Sequence, residues 1–350
     1  MKKLFFILIS ISVIGSIQAQ SDTLNRTDKF GKKYGYWKVY DNKTLVYEGR
    51  FYNGEPVGKL THYHTNGQIK SIATYTINSP KVPTTIYHEN GIKAAEGLFI
   101  NKQKDGKWMY YSTNGNLISE ENYKAGKKDG VFRTYAKDGV ILEETNWKND
   151  KREGLSYNNY ISGDLRLKMY YKDNKMDGPF ENYYENGKIW TKGNYKNDFR
   201  NGEWITYNEE GKELLTQTFE MGKITSTILG FNTGAQWIKL DVKNIAYFHQ
   251  AATDIVICMK NKNRIHIIKD RLIEIAERAG VENFIFLNEN TLSSYTSIKK
   301  VTPTDDTDTE AAIMLKPDPD FEVFCYGDYY KMLKSLLTPD APRQNVDIQF

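Results

Sequence analysis

The amino-acid sequence predicts a mainly β protein, in which an elongated array of about eight 24-residue β-hairpin repeats is followed by a small α+β domain. Three observations support this fold class. Glycine opens a short aromatic segment every 23 or 24 residues over much of the repeat region. Aromatic residues make up 13% of the 350 residues beside 26 glycines, which is typical of short strands and tight turns rather than helix bundles. After residue 224 the repeat stops and the composition shifts to Ile, Val and Leu.

Residues 1–19 have the pattern of a secretory signal peptide. Two lysines precede an apolar run over residues 4–17, and the small residue Ala19 stands at a cleavage position. The run is short for a spanning helix, which needs about 20 apolar residues, and an uncleaved anchor is the alternative. We therefore expect an exported protein of the periplasm or cell surface, with residues 20–33 as a linker before the repeats.

The repeat covers residues 34–224 in eight units. The units open at Gly35, Gly58, Val82, Gly106, Gly130, Gly154, Gly178 and Gly202. Counted from the opening residue, position +2 is aromatic in Trp37, Trp108, Phe132, Phe180 and Trp204. Position +17 is aromatic in Tyr75, Phe99, Tyr123, Trp147, Tyr171, Tyr195 and Phe219, with Phe51 in the shorter first unit. These coincident registers indicate one structural unit per repeat, stacked on its neighbours.

Each unit is predicted to be a β-hairpin. A first strand leads to an Asn-Gly or Asp-Gly turn such as Asn66-Gly67, because these dipeptides tolerate the positive φ of tight turns. A polar turn such as residues 127–129 precedes the next unit, and the Gly154 unit is expected to be irregular because Asn159 occupies position +5. Since a lone hairpin is marginal in water, the +2 and +17 aromatics are expected to pack between hairpins.

Position +5 supplies the predicted binding residues. They are Tyr40, Tyr63, Tyr87, Tyr111, Tyr135, Tyr183 and Tyr207. We expect these rings to be the exposed set, because the +2 and +17 aromatics are assigned to packing between hairpins. Planar rings with polar edges suit protein, peptide or sugar ligands.

Three histidines form a weak metal candidate. His64 and His88 both occupy position +6 of neighbouring units, and His62 shares a strand face with His64. Three imidazoles are the smallest set able to hold Zn²⁺ or Cu²⁺, but no cysteine or carboxylate pattern flanks them. Solvent-facing polar positions are the favoured interpretation, so the sequence predicts no metal and no cofactor.

Two segments carry a family resemblance. Residues 106–115 (GKWMYYSTNG) and 177–187 (DGPFENYYENG) resemble the MORN repeat, in the variant form found in exported bacterial proteins and in proteins described as antitoxin-like. The resemblance implies a scaffold, tether or partner-binding surface, sometimes at membranes. Its antitoxin-like members imply a protein toxin as the partner of an immunity-type protein.

Residues 225–350 are predicted to form the α+β domain. Strands are expected at residues 236–248, 254–259, 264–268, 284–287 and 321–326. Helices are expected at residues 269–279, where Gly280 ends the run, and at residues 329–337. Residues 301–320 are rich in Pro, Thr and Asp and are predicted to be a loop. Cys258 and Cys325 lie in apolar runs and are predicted to be buried free thiols.

This order of elements is similar to the LytTR-type DNA-binding domain of bacterial response regulators, on residues 244–247, 283–292, Ile298 and 329–333. Asn288 and Glu289 stand where that family places basic residues that touch DNA. Residues 225–350 hold 14 basic and 17 acidic residues, a net charge of −3, and the whole chain has only +4. The sequence therefore predicts no nucleic-acid partner.

The favoured hypothesis is an exported, non-enzymatic scaffold of the bacterial cell envelope that binds a protein through its repeats. A glycan or an anionic membrane surface is the alternative ligand, and an antitoxin or immunity-type protein is the alternative role. The sequence has no Gly-x-Ser-x-Gly, His-Glu-x-x-His or Walker motif. A further alternative is an envelope enzyme acting on glycan or peptide, with its site around Cys258, His249 and His266. The oligomeric state stays open.

Overall fold

The computed structural model describes residues 24–304 and 309–337, without the side chain of Leu337. The predicted signal peptide, residues 1–19, lies outside the described residues. The chain divides into two compact units, Met1–Lys127 and Lys128–Phe350. Both are built mainly from antiparallel strands, which confirms the predicted mainly β class. Within the described residues, no helix has the length and hydropathy needed to cross a membrane.

The first unit is a meander in which each strand pairs antiparallel with the next. Its strands are β1 (Arg26–Thr27), β2 (Lys33–Asp41), β3 (Thr44–Tyr52), β4 (Glu55–Tyr63), β5 (Ile69–Tyr75), β6 (Lys81–Tyr87), β7 (Lys93–Ile100), β8 (Gln103–Tyr111) and β9 (Leu117–Lys124). The predicted linker, as far as it is described, is therefore partly ordered, because β1 pairs with the edge of β2.

The second unit continues the same pattern in its own meander, from β11 to β20. The short strand β10 (Lys127–Lys128) lies where the chain divides. The meander strands are β11 (Gly130–Tyr135), β12 (Ile141–Lys148), β13 (Lys151–Asn159), β14 (Leu165–Lys172), β15 (Lys175–Tyr183), β16 (Ile189–Lys196), β17 (Phe199–Tyr207), β18 (Glu213–Glu220), β19 (Lys223–Asn232) and β20 (Trp237–Asp241).

Outside the shorter first repeat, the turns with two consecutive positive φ values lie between repeats rather than inside them. Asn197-Asp198 joins β16 to β17 with φ of 49° and 70°, the two positive values of a type I′ turn. Inside a repeat, only the glycine of the Asn-Gly pair has a positive φ, as in Gly67 at 84°. The Asn66 side chain instead accepts a hydrogen bond from the Gln68 amide. The predicted turn at residues 127–129 is wrong. The turn before this repeat lies at Ala125-Gly126, which has positive φ values of 49° and 82°.

The irregular repeat is the one that opens with Val82, not the Gly154 unit. β13 and β14 have the same lengths as β15 and β16 in the following repeat. The opening glycines have positive φ, as in Gly154 at 88°, and they make the strand bulge there. A β-branched valine does not adopt that backbone readily. The chain enters the Val82 unit through a longer loop at residues 76–80, and the register of β5 with β6 pairs only residues 71–73 with 84–86.

The C-terminal region has a five-stranded sheet between two covering layers. Its further strands are β21 (Ile245–Gln250), β22 (Ile255–Met259), β23 (Arg264–Ile267), β24 (Phe284–Asn288), β25 (Thr291–Ser294), β26 (Ile298–Pro303), β27 (Glu310–Leu315) and β28 (Phe324–Tyr326), and its helices are α1 (Leu272–Ala279) and α2 (Gly327–Leu337). The five-stranded sheet has the order β23-β22-β21-β25-β24. Helix α1 and β19 cover one face, while α2 and the sheet β26-β27-β28 cover the other.

Two local predictions for this region are wrong, and one strand was not predicted. The stretch at residues 236–248 is two strands separated by a 3-10 helix at Val242–Asn244, whose first turn the Asp241 side chain caps. The predicted loop at residues 301–320 contains the rest of β26 and all of β27, where Ala311, Ile313 and Leu315 alternate into the core. Strand β25 escapes prediction because its buried residues include polar ones, such as Ser293 at 0% exposure.

The last repeat strand is also part of the C-terminal core. β19 pairs with β18 and β20, and its Leu229 and Phe231 are fully buried against α1 residues. From α1, Arg278 donates a hydrogen bond to the Gly230 carbonyl and forms an ion pair with Asp270 in which both side chains are at most 14% exposed. Burial raises the pKa of Asp270, and the Arg278 charge opposes that shift. The predicted boundary at residue 224 falls inside β19, so backbone pairing runs through it.

Replacing Arg278 by Met is expected to destabilise the protein by about 3 kcal/mol, because the Asp270 carboxylate would stay buried without its partner. Arg271→Met is the matched control. The Arg271 side chain is 75% exposed beside Glu274, and its loss should cost less than about 1 kcal/mol. Urea denaturation of both variants measures the difference, and equal losses would contradict a structural role for the buried pair.

Candidate binding surface of the repeats

One face of each meander is filled by the +2 and +17 aromatics. Trp108 is fully buried and Trp204 is 3% exposed. Their rings meet the +17 aromatic of the preceding repeat edge to face, with centroid distances of 4.8 Å for Phe99 to Trp108 and 4.9 Å for Tyr195 to Trp204. This geometry is a favourable one for aromatic pairs. The predicted packing role of these positions is confirmed. Phe51, Trp108, Trp204 and Phe219 are buried, and the other aromatics at these positions are partly exposed.

Glycine at position +15 lets the tryptophan lie flat on the neighbouring strand. A Cβ added to Gly97 would stand 2.3 Å from Trp108 Cδ2, and the same holds for Gly193 and Trp204. The Trp108 indole also donates to the Leu98 carbonyl at 3.1 Å. This contact between the glycine at +15 and the tryptophan at +2 of the next repeat was not predicted from the sequence. Its signal is that a repeat with glycine at +15 precedes a repeat with tryptophan at +2.

A basic side chain two residues before the opening glycine covers the aromatic rings. The Lys104 ammonium lies 4.9 Å from the Trp108 ring centroid, and the Arg200 guanidinium lies 4.3 Å from that of Trp204. Other basic residues at this position with the same type of contact are Lys33, Lys128 and Arg152. Such cation–π contacts stabilise by about 0.5–1 kcal/mol each when exposed. These positive groups therefore lie over the +2 and +17 aromatic rings.

The +5 tyrosines lie on the opposite face, because alternate residues of a strand point to opposite sides. The Tyr63 hydroxyl donates to Glu48 at 2.5 Å, and the Tyr111 hydroxyl donates to Glu96 at 2.8 Å. Partial burial, and secondarily the bond to its glutamate, raises the pKa of each tyrosine to about 12. Tyr183 behaves in the same way with Glu181, at 2.8 Å. These phenols therefore stay neutral and act as hydrogen-bond donors.

The predicted tyrosines differ in exposure. Tyr40 is 56% exposed. The other six, Tyr63, Tyr87, Tyr111, Tyr135, Tyr183 and Tyr207, are half-buried. Tyr207 lies under the Lys192 ammonium, 5.5 Å from its ring centroid. Of the predicted exposed set, only Tyr40 is therefore largely exposed, and charged side chains such as Glu96 and Lys192 lie against some of the other tyrosines.

The +5 tyrosines share their face with ion pairs of both signs. An acidic and a basic side chain lie together, across neighbouring strands in three pairs and within β7 in the Lys93–Glu96 pair, at distances between 2.6 and 3.4 Å. The pairs are Lys38–Glu48, Lys93–Glu96, Arg133–Glu144 and Lys168–Glu181. We call these ion pairs together with the +5 tyrosines the tyrosine face.

The histidines at position +6 link one repeat to the next. The Nε2 of His64 donates to the Tyr87 carbonyl at 3.0 Å, and that of His88 donates to the Tyr111 carbonyl at 2.9 Å. Later repeats use a tyrosine hydroxyl for the same bond, as in Tyr160 to the Tyr183 carbonyl at 2.6 Å. Position +6 is therefore a structural link between hairpins.

His62 packs on Tyr47 with ring centroids 5.5 Å apart, and burial lowers its pKa. His62, His64 and His88 are not brought together as metal ligands. In the part of the chain that the structure describes, no group of three His, Cys, Asp or Glu side chains is placed to hold a metal ion.

The candidate catalytic residues of the C-terminal region have other partners. His249 stacks on Phe321 at 3.9 Å, and His266 bonds to Asp254 at 2.5 Å. Cys258 is 2% exposed, and its thiol lies 3.9 Å from the Met259 carbonyl oxygen. Cys325 is fully buried, and that burial raises its pKa to about 12. Both cysteines are free, which confirms the prediction of buried thiols.

Adding one methyl group at Gly97 tests the flat packing of the indole. Gly97→Ala is expected to destabilise the protein by about 2 kcal/mol, because the new Cβ overlaps the Trp108 ring. In a Trp108→Leu background the same change should have a smaller effect, because a leucine can move its terminal methyl group. At Gly49, for example, an added Cβ would overlap mainly with the Cδ1 atom of Leu60, at 2.9 Å. A double-mutant cycle of unfolding free energies measures this coupling. An equal penalty for Gly97→Ala in both backgrounds would show that the indole does not require the glycine.

Comparisons with known proteins agree with the hairpin register. The family described as MORN repeat variant matches residues 56–76, 104–125, 128–149 and 176–197. A search of curated proteins finds no match. Each matched segment corresponds to the two strands of one repeat, as in β4 with β5 for residues 56–76.

Two solved structures are similar to parts of the chain. A LytTr DNA-binding domain of a methyl-accepting/DNA response regulator from Bacillus cereus is 15% identical with a TM-score of 0.27, covering 31% of this chain and 95% of that one. The Tc holotoxin pore of Photorhabdus luminescens is 12% identical with a TM-score of 0.16, covering 65% of this chain and 15% of that one. Both TM-scores are too low to establish a common fold. Four segments of this chain thus match the MORN repeat variant, and its other repeats share the hairpin register of those segments.

Proposed function

We propose that this chain is an exported, non-enzymatic scaffold of the bacterial cell envelope that binds a protein partner through its tyrosine face. MORN repeats suggest a protein that binds proteins or membranes. The observation that supports a protein partner is the difference between the two faces of the repeats. The aromatic face buries Trp108 and Trp204 against glycines of the neighbouring strand, whereas each +5 tyrosine of the tyrosine face is at least partly exposed, at regular spacing. Tyrosine is enriched at protein interfaces, where its ring packs and its hydroxyl bonds.

The charges of the tyrosine face favour a protein over an anionic membrane. An anionic lipid surface attracts cations that have no local counter-ion. On this face several basic groups are paired with carboxylates, as in Arg133 with Glu144 at 2.6 Å and Lys93 with Glu96 at 2.8 Å. Paired charges of both signs suit a partner with complementary charges and contribute more to specificity than to affinity. A protein surface supplies both signs, and a lipid surface does not.

The non-enzymatic part of the proposal is supported by the surroundings of the C-terminal candidates. A nucleophilic cysteine needs an accessible thiolate and a base within hydrogen-bond reach. Cys258 is buried, while His249 and His266 are bonded to Thr291 and Asp254. A hydrolytic activity of the purified protein that Cys258→Ala abolished without unfolding it would contradict this part.

Substitutions on the tyrosine face test the partner hypothesis. Tyr111→Ala combined with Tyr183→Ala should weaken binding of the partner at least about tenfold, because interface tyrosines contribute roughly 1–2 kcal/mol each. Tyr52→Ala is the matched control, since Tyr52 is 60% exposed at a strand end next to a turn and is not a +5 residue.

The measurement is cross-linking of the full mature chain in envelope extracts, followed by affinity titration with the protein it captures. Circular dichroism shows whether each variant stays folded. Equal binding by the double variant and by Tyr52→Ala would refute the assignment of this face. Cross-links to glycan alone would replace the protein partner by the glycan alternative.

Export has its own test. The lysines and apolar run of residues 2–17 and Ala19 support cleavage near residue 19. Mass spectrometry of the protein recovered from its own cells should find a mature N-terminus at about residue 20, in the periplasmic or extracellular fraction. An intact Met1 in the cytoplasmic fraction would refute export.

A further inference from the structure

A cavity of about 430 Å³ opens on the C-terminal region, beside the hairpin of β22 and β23. Strand β26 and the segment that follows β27 form its other walls. Its charged lining residues are Lys262, Arg264, Lys299, Lys316, Asp318 and Asp320. The volume falls within the range of about 300–1,000 Å³ that is typical of small-molecule sites.

The charge in this cavity is not balanced. Arg264 forms an ion pair with Asp320, and its guanidinium lowers the pKa of that carboxyl, so these two charges cancel. Three lysines then face a single carboxylate, that of Asp318. Among residues 24–304 and 309–337, none of these three lysines has an ion-pair partner. The excess is local, because residues 225–350 have a net charge of −3.

The lysines come from three separate backbone segments. Lys262 stands in the β22–β23 turn, where its amide donates to the Met259 carbonyl at 2.8 Å. Lys316 follows β27, and its amide donates to the Ser297 carbonyl at 2.9 Å. Lys299 lies on β26. Since each backbone is fixed by its own hydrogen bonds, the fold holds three positive side chains around one cavity instead of letting them separate.

The effect of this crowding reaches a fourth lysine. Burial lowers the pKa of Lys260, and the charge of Lys299 lowers it further. Like charges held together raise the free energy of the unliganded state, and a bound anion relieves that repulsion. The lining of the cavity also has apolar atoms, from Leu315, Pro317 and the 56% exposed side chain of Met314.

We propose that this cavity binds the phosphoryl group of a small phosphorylated molecule, with the organic part against Met314, Leu315 and Pro317. Lysine binds phosphate as a point charge, whereas a carboxylate is best matched by the free fork of an arginine. The only arginine in the lining is already paired with Asp320. Three ammonium groups therefore suit a compact dianion. This site is independent of the tyrosine face and of the protein partner proposed above.

Calorimetric titration of the full mature chain with inorganic phosphate and with phenyl phosphate tests the proposal. We expect a dissociation constant on the order of 1 mM for phosphate, and about tenfold tighter binding of phenyl phosphate because its ring covers the apolar wall. Lys299→Gln should weaken both about tenfold or more, because it removes one charge-assisted contact to the phosphoryl group. Lys300→Gln is the matched control, because Lys300 is the exposed neighbour on β26 and does not line the cavity.

Three results would overturn the assignment. One is the lack of saturable binding of either compound at concentrations about tenfold above the expected constant. Another is an equal effect of Lys299→Gln and Lys300→Gln, with both variants melting like the parent protein. The third is a DNA duplex that binds more tightly than phenyl phosphate and depends on Lys299, which would make the ligand a nucleic-acid backbone.

Discussion

A buried contact between an indole and the bare backbone of a glycine, made once in each meander, anchors the aromatic face of the repeats. Trp108 over Gly97 and Trp204 over Gly193 bring the ring within van der Waals distance of the neighbouring strand. A +17 aromatic packs edge to face with the indole, and a cation lies over the ring. A single sheet gains a buried layer in this way without a second sheet to cover it. The opposite face is left to polar pairs and phenols, which is why we place partner binding there.

The last repeat strands also need a cover, and in the second meander the C-terminal region supplies it. β19 begins as a repeat strand paired with β18, but its later residues Leu229 and Phe231 are covered by α1 instead of by a further repeat. The buried pair of Arg278 and Asp270 fixes α1 to that strand through the Gly230 carbonyl. Helix α1 thus covers one face of the last strands of the second meander, and β20 pairs with β19 along one of its edges.

Much of this architecture could be predicted from the sequence, because the period of the aromatics is visible in the order of the residues alone. The repeat count, the packing of the +2 and +17 rings and the burial of both cysteines follow from such patterns. Backbone detail could not be predicted in the same way. Both Asn66-Gly67 and Asn197-Asp198 are dipeptides that tolerate positive φ, so the sequence alone does not show that only Asn197-Asp198 has two positive values. The partial cover over the +5 tyrosines depends on side chains such as Glu96 and Lys192 from neighbouring strands. Strand β25 was missed because buried serines look like a loop when only one strand is considered.

The most direct test of the two-faced repeat is hydroxyl-radical footprinting of the full chain, free and bound to its partner. The account predicts that Trp108 and Trp204 stay unmodified in both states, because their rings are buried within the array. It predicts that Tyr40 and the half-buried +5 tyrosines are modified in the free protein and protected in the complex. Ready modification of Trp108 in the free protein, with protection of that indole and not of the tyrosines on binding, would contradict it.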